Sequence, residues 1–173
     1  YYGVREIPFT IVVDREGRLL RPFTTADGRW RLPVEIHDVD PRYLKMLFAF
    51  EDRRFYSHGG VDARSAVRAA VQMIRHGRLV SGASTLSMQV ARLVEGKHER
   101  TGPGKLRQMA RAWQLEEALS KDEILRLYLR LAPFGGNIEG VRAASLAYFG
   151  KEPRRLCIAQ AALRVALPQS PES

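Results

Sequence analysis

Asp40-Pro41-Arg42-Tyr43-Leu44-Lys45-Met46-Leu47-Phe48-Ala49-Phe50-Glu51-Asp52-Arg53-Arg54-Phe55 is where the chain changes character. Asp40 is a good helix N-cap, and Pro41 suits the first helical position, where its missing N–H costs nothing. Leu44, Leu47, Phe48 and Phe55 then recur on one helical face. The stretch therefore predicts a helix, and the helical signal continues toward the C-terminus. Glu51 falls on the same apolar face. A carboxylate there is partly desolvated, which suits a general acid or base. The plainer reading is an acid at the helix edge, paired with Arg53, Arg54 or His58.

Downstream, Asp62 is placed to cap a second helix, with Ala66, Val67, Ala70 and Ile74 as its stripe and Gly77 as its stop. A third helix starts near Ser84, carries Leu86, Val90, Leu93 and Val94 on its apolar face, and ends at Gly96. Residues 95–104 are polar, contain Gly96, Gly102 and Gly104, and lack periodicity, so a mobile surface loop is expected. A fourth helix follows from about Lys105 to Leu119. Ser120-Lys121-Asp122-Glu123 is a capping box that opens a fifth, with Ile124, Leu127, Tyr128 and Leu131 inside. Pro133, Gly135 and Gly136 break it. Asn137 is expected to cap a sixth helix ending at Gly150, and a last helix is expected over about Arg155 to Leu167.

Upstream, Thr10-Ile11-Val12-Val13 and Arg18-Leu19-Leu20 flank Asp14-Arg15-Glu16-Gly17, the pattern of a short β-hairpin. Residues 21–40, with Pro22, Gly28 and Pro33, read as an irregular connector. The domain division is then 1–40, hairpin and connector, and 41–173, the functional domain.

At 173 residues, 45% hydrophobic and 27% charged, the chain has the composition of a globular domain. Disorder, collagen and coiled coil are excluded. Cys157 is the only cysteine, so no internal disulfide can form. The net charge is +9, and residues 68–111 alone carry +7 of it. Such a localised excess implies a polyanionic partner: nucleic acid, anionic lipid headgroups or a phosphorylated substrate. The longest run free of Asp, Glu, Lys and Arg is 13 residues, 79–91, against about 20 apolar residues for a membrane span. The chain begins Tyr1-Tyr2 without Met, as expected of a piece of a longer protein whose signal or anchor lies upstream.

Two further segments carry candidate chemistry. Ser84 and Thr85 stand at a helix start, where unpaired backbone N–H groups favour anions. Thr85, Gln89 and Arg92 share a polar face opposite the apolar stripe, although an ordinary capped amphipathic helix has the same pattern. Lys105, Gln108 and Arg111 are about one turn apart, and Arg107 with Arg111 adds a second basic row. This row either holds a pyrophosphate through charge-assisted bonds or is a solvated helix face.

These segments together resemble the peptidoglycan glycosyltransferases, glycosyltransferase family 51, of class A penicillin-binding proteins. The family motif Glu-Asp-x-x-Phe-x-x-His-x-Gly is met by Glu51 through Gly60. Gly-x-Ser-Thr-Leu-x-x-Gln is met by Gly82 through Gln89, and Lys-x-Glu-Ile-Leu-x-x-Tyr-Leu by Lys121 through Leu129. Gly140, Ala144 and Tyr148-Phe149-Gly150-Lys151 meet the last motif. The motifs come in family order over about 41–170. Met88–Leu93, Gly104–Gln108 and Ala132–Gly136 look like the 1C type within the family. Three places in the chain depart from the general pattern. Gly104 and Gln108 stand where the third motif has Arg and a second Glu, Arg92-Leu93 where Lys-Asn is usual, and Arg130 where Asn follows Tyr-Leu.

The resemblance implies a mainly α, lysozyme-like fold with a large lobe and a small membrane-proximal jaw, preceded by the hairpin. It implies polymerisation of lipid II, whose sugar 4-hydroxyl attacks the anomeric carbon of a lipid-linked glycan strand. A β-1,4 bond forms with inversion and undecaprenyl pyrophosphate leaves. Glu51 is the expected base, with Gln108 at the position of the family's second catalytic Glu. Asp52, Phe55, His58, Ser84, Thr85, Gln89, Arg92, Lys105 and Arg107 are the expected substrate-binding residues. No metal ligand set or cofactor is required, and a divalent cation, Mg or Mn, is compatible with the pyrophosphate. The implied partners are the lipid substrates, an anionic membrane surface and a transpeptidase domain in the full-length protein, not nucleic acid. The implied location is the bacterial cytoplasmic membrane, facing the periplasm or cell exterior. The alternatives are a lysozyme-like lytic enzyme using Glu51 as acid, a non-catalytic basic module, and a degenerate transferase that binds lipid II without turnover.

Overall fold

The hairpin forms as the turn residues dictate. In the computed structural model, which describes residues 10–16, 18–76, 84–96, 102–156 and 160, Asp14 Oδ1 accepts the backbone N–H groups of Glu16 (3.0 Å) and Arg18 (2.8 Å). This side-chain mimic of a backbone turn reverses the chain. Strand β1 (Thr10–Val13) pairs antiparallel with β2 (Leu19–Phe23), with Ile11 opposite Pro22 and a bulge between Val12 and Val13. The second strand thus runs three residues past Leu20, into the expected connector.

That connector holds further structure. Trp30–Arg31 forms a two-residue strand β3, and Ile36–Asp38 forms one 3-10 turn. Strand β3 runs parallel to β4 (Ile138–Glu139). Asn137, expected as a helix cap, instead accepts the Trp30 N–H on its backbone carbonyl (2.8 Å) and donates its side-chain amide to Gly28 O (3.0 Å). Two-residue strands are too short to show a period of two, and their partners lie about a hundred positions away.

The chain divides into two compact units: residues 1–47 with 125–173, and residues 48–124. Helix α1 (Pro41–Glu51) and helix α5 (Lys121–Leu131) each run from one unit into the other. The first unit also contains both strand pairs and helix α6 (Val141–Phe149). Its core includes Val34, Tyr43, Leu47, Leu129, Phe134 and Val141, all essentially buried. Burying one such side chain contributes roughly 1.5–3 kcal/mol. Tyr43 and Leu47 are the buried positions of α1, while Leu44 and Phe48 are half-buried. Helix α6 begins after Gly140, not Asn137. Gly140 has φ +84°, and a Cβ there would lie 2.7 Å from Arg130 O. Arg130, the departure from the family's Asn, donates to Val34 O (3.1 Å) and to the Glu35 carboxylate, which Arg126 also reaches (2.7 Å). Gly150 ends α6 in the left-handed conformation. Arg155 belongs to a 3-10 turn, Pro153–Arg155. Most of the expected last helix lies outside the described residues.

In the second unit, α1 stops at Glu51, so Phe55 is carried by a 3-10 turn (Phe55–Ser57) and not by the helix. Phe55 is nonetheless buried, stacked on Phe48 with ring centroids 5.7 Å apart. Asp62 caps helix α2 (Ala63–His76) by accepting from Arg64 N (3.0 Å) and Ser65 N (3.2 Å). Val67, expected on the inner stripe, is 64% exposed. The side chains of Ala66, Ala70 and Ile74, and the stop at Gly77, lie outside the described residues. Helix α3 (Leu86–Glu95) has Thr85 as N-cap and ends at Gly96 with φ +65°. Val94 falls off its buried face.

Helix α4 (Gly102–Ala118) packs on α3. It begins three residues earlier than expected, because Pro103 is tolerated in a first turn and Gly102 and Gly104 join that turn. The expected 95–104 loop is thereby shortened at both ends, with 97–101 outside the described residues. The capping box is present: Ser120 N–H donates to Glu123 Oε2 (2.7 Å) and Glu123 N–H to Ser120 Oγ (3.3 Å).

Candidate active site

The second unit brings together residues separated by 20 to 40 positions. Glu51, at the last position of α1, accepts a hydrogen bond on Oε2 from Gln89 Nε2 at 2.7 Å. Gln89 reaches it because it sits one turn into α3, whose first turn is clamped to the 52–60 segment in two places. Asp52, 6% exposed, accepts the Leu86 N–H (3.1 Å), one of the amides a helix start leaves unpaired. The same carboxylate lies 2.9 and 3.0 Å from His58 Nε2. Thr85 accepts the Met88 N–H (3.2 Å) and donates its hydroxyl to Gly60 O. Asp52, Phe55, His58 and Thr85 therefore spend their polar and apolar contacts on holding the frame that aims Glu51 and Gln89.

A cavity of about 650 Å³ opens beside Glu51, with Ser84 and Thr85 in its wall. Four arginines line it: Arg53, Arg54, Arg64 and Arg68. Arg54 is bound to Asp62, and Arg68 donates to Ser65 Oγ (3.1 Å). Periodicity did not single out Arg54, Asp62, Arg64 or Arg68 as site residues. The local signal was present, since Asp62 is both a helix cap and an acid among arginines. Burial pushes the Asp62 carboxyl up, but the Ser65 hydrogen bonds and Arg54 outweigh it and hold it below the usual carboxylate range. Asp62 is thus a poor proton donor at neutral pH.

Ser84 connects the cavity to the basic row, because Lys105 on α4 donates its ammonium to Ser84 Oγ. Lys105 is half-buried. Burial, and then the Arg92 charge, hold its ammonium below the ordinary lysine pKa. Arg92 on α3 has a buried Nε with no hydrogen-bond partner among the described residues. An anion placed between Lys105 and Arg92 would relieve both effects. Arg111 bonds Glu95 at 2.7 Å, which separates it from that pair. Arg107 is exposed on α4, and Gln108 is half-buried on the same helix. Among the described residues, no group of three His, Cys, Asp or Glu could hold a metal ion.

A frame of this kind, with a carboxylate that accepts an amide beside an arginine-lined cavity, suits glycosyl transfer. The sequence comparisons agree: residues 16–173 match the family model described as Transglycosylase, and the chain belongs to that family, as a mainly α, lysozyme-like glycosyltransferase domain. It is 53% identical over 164 residues to penicillin-binding protein 1C of Escherichia coli (strain K12), covering 95% of this chain and 21% of that protein. Penicillin-binding protein 1A of Pseudomonas aeruginosa is 35% identical over 160 residues, covering 92% of this chain and 19% of that protein. Penicillin-binding protein 1F of Bacillus subtilis is 35% identical over 162 residues, 94% and 22% respectively. The chain spans about a fifth of the length of these relatives.

Proposed function

We propose that this domain polymerises lipid II into glycan strands at a membrane surface, as part of a penicillin-binding protein that also carries a transpeptidase domain. The observation that carries the reading is the Glu51 site. Three carboxylates line its cavity, and two of them, Asp52 and Asp62, are buried and bound to His58 and Arg54. Glu51 stands at the end of α1 on the cavity wall and accepts the Gln89 amide at 2.7 Å. A sugar hydroxyl is a poor nucleophile and needs a base within hydrogen-bond reach, which is the role assigned to Glu51. Pyrophosphate is already a good leaving group, so its developing charge calls for cations rather than a protonating acid. Lys105, Arg92 and Arg107 are assigned to it. Glycosidases usually require two working carboxylates, which this arrangement does not supply. A divalent cation, Mg or Mn, would add positive charge against the leaving pyrophosphate. The test is incubation of the domain with lipid II in detergent, with and without divalent cation. Glycan polymer is expected. Fragments released from cell-wall sacculi without polymer would assign the lytic reaction instead.

The Lys105 environment adds a pH prediction. A lysine with a lowered pKa loses its charge at lower pH than usual, so the alkaline limb of kcat/KM falls below the ordinary lysine range. In Lys105→Arg the charge persists at all working pH values. The alkaline limb should move upward, even if the maximal rate drops. An unmoved limb would detach it from Lys105.

The same unit supports membrane contact, the proposed site at the cytoplasmic membrane facing the periplasm or cell exterior. No helix among the described residues is long and apolar enough to cross a membrane. Phe50, Val67 and Leu106 are 72%, 64% and 68% exposed, in the unit that contains the basic stretch 68–111 with its +7. Apolar insertion with electrostatic attraction describes a peripheral domain. Cosedimentation with anionic vesicles should weaken as salt rises from about 0.05 to 0.5 M and the Debye length shrinks from ~14 to ~4 Å. Salt-independent binding would remove the electrostatic half.

A further inference from the structure

The first unit holds a second, larger cavity, of about 1210 Å³, whose lining shares no residue with the Glu51 site. Leu19 and Pro22 of β2, Trp30 of β3, Ile138 of β4 and Leu146 of α6 line it. The lining is mainly apolar. Four of its charged residues, Lys151, Glu152, Arg154 and Arg155, lie in or beside the Pro153–Arg155 turn. The acids of the lining are already engaged: Glu152 takes both its bonds from Arg142 (2.9 and 2.9 Å), and Asp38 accepts the Glu35 N–H (3.0 Å). Lys151, Arg154 and Arg155 are exposed and make no side-chain hydrogen bond or ion pair among the described residues. A mainly apolar lining is therefore joined by three cations that have no anionic partner among the described residues.

We propose that this trough seats a short acidic segment of a partner polypeptide, its apolar side chains in the trough and its carboxylates on Lys151, Arg154 and Arg155. Charge complementarity selects the occupant, because the three cations repel a basic segment and pair a carboxylate with a guanidinium fork. The dimensions suit a peptide. The nine residues of α6 extend about 13 Å at 1.5 Å per residue, the span of roughly four extended residues. The hairpin has a reason to gain from an occupant on Leu19 and Pro22, since a two-stranded hairpin is marginal alone.

Trp30 in the trough lining is a built-in reporter once the other tryptophan is removed as Trp113→Phe. The probe is a Trp-free octapeptide of alternating Leu and Glu. Its titration should shift Trp30 emission saturably, while the Leu/Lys counterpart leaves it unmoved. Arg154→Glu with Arg155→Glu should weaken binding about ten-fold or more, with Arg154→Ala and Arg155→Ala as a milder pair if the reversal melts early. No shift with the acidic peptide, equal shifts with both peptides, or unchanged affinity in the folded variants would each overturn the proposal. So would anionic vesicles that shift Trp30 where the acidic peptide does not, since they would assign the surface to lipid.

Discussion

Glu51→Gln is expected to lower the rate of lipid II polymerisation by about 10²–10⁴-fold, the usual contribution of a general base. The amide has the shape of the carboxylate, and its oxygen can still accept from Gln89, so the frame around residue 51 should persist. What it cannot do is take the proton of the attacking sugar hydroxyl. Substrate affinity should therefore fall far less than turnover, because Lys105, Arg92 and the arginine-lined cavity are untouched. Measured as single-turnover rate beside equilibrium binding, the loss should sit in the chemical step. A variant that polymerises at near the parental rate would end the proposed mechanism.

Gly60→Ala should produce the largest loss of stability. Gly60 has φ +82°, and a Cβ there would lie 2.9 Å from both the carbonyl carbon and the oxygen of Ala112 in α4. These are backbone atoms of a packed helix and cannot swing aside. Left-handed strain for a residue with a Cβ and overpacking together cost about 2–5 kcal/mol. For a domain of this size that lowers Tm by roughly 5–15 °C. Gly59→Ala is the control, because nothing lies within 4 Å of a Cβ at that position. A thermal melt that shows equal Tm values for the two variants would remove the close approach of the 52–60 segment to α4. Thr85 donates to Gly60 O, so the same substitution should also loosen the start of α3 and with it the Gln89–Glu51 contact.

The local grammar of this chain was legible along the sequence. Asp62, the Ser120/Glu123 box, Gly96 and Gly150 mark helix ends because each satisfies or terminates backbone hydrogen bonds within a few residues. The β1–β2 turn is legible for the same reason: Asp14 bonds amides two and four positions on. The ordered motifs reached further and identified the family and the group of residues to inspect. They did so although Gln108 and Arg130 depart from them, and Arg130 proves to be held by Val34 and Glu35 in the first unit.

Tertiary structure decided the rest, and in each case the deciding partner is distant in sequence. Strand β3 exists only because β4, more than a hundred residues later, offers it hydrogen bonds. Phe55 looked like one more turn of α1, yet the helix stops at Glu51, and Phe55 is buried by a separate turn stacked on Phe48. Val67 fits a helical stripe, but it is 64% exposed. Above all, helical periodicity placed Glu51 on an apolar face without saying what would hold it. That depends on Asp52 and Thr85 pinning the start of α3, which sets Gln89 2.7 Å from the carboxylate across 38 residues of chain. Periodicity reports which side of an element is apolar. The identity of the group that meets it is a property of packing, and packing was needed to turn a list of motif residues into one carboxylate, one amide and a cationic cavity.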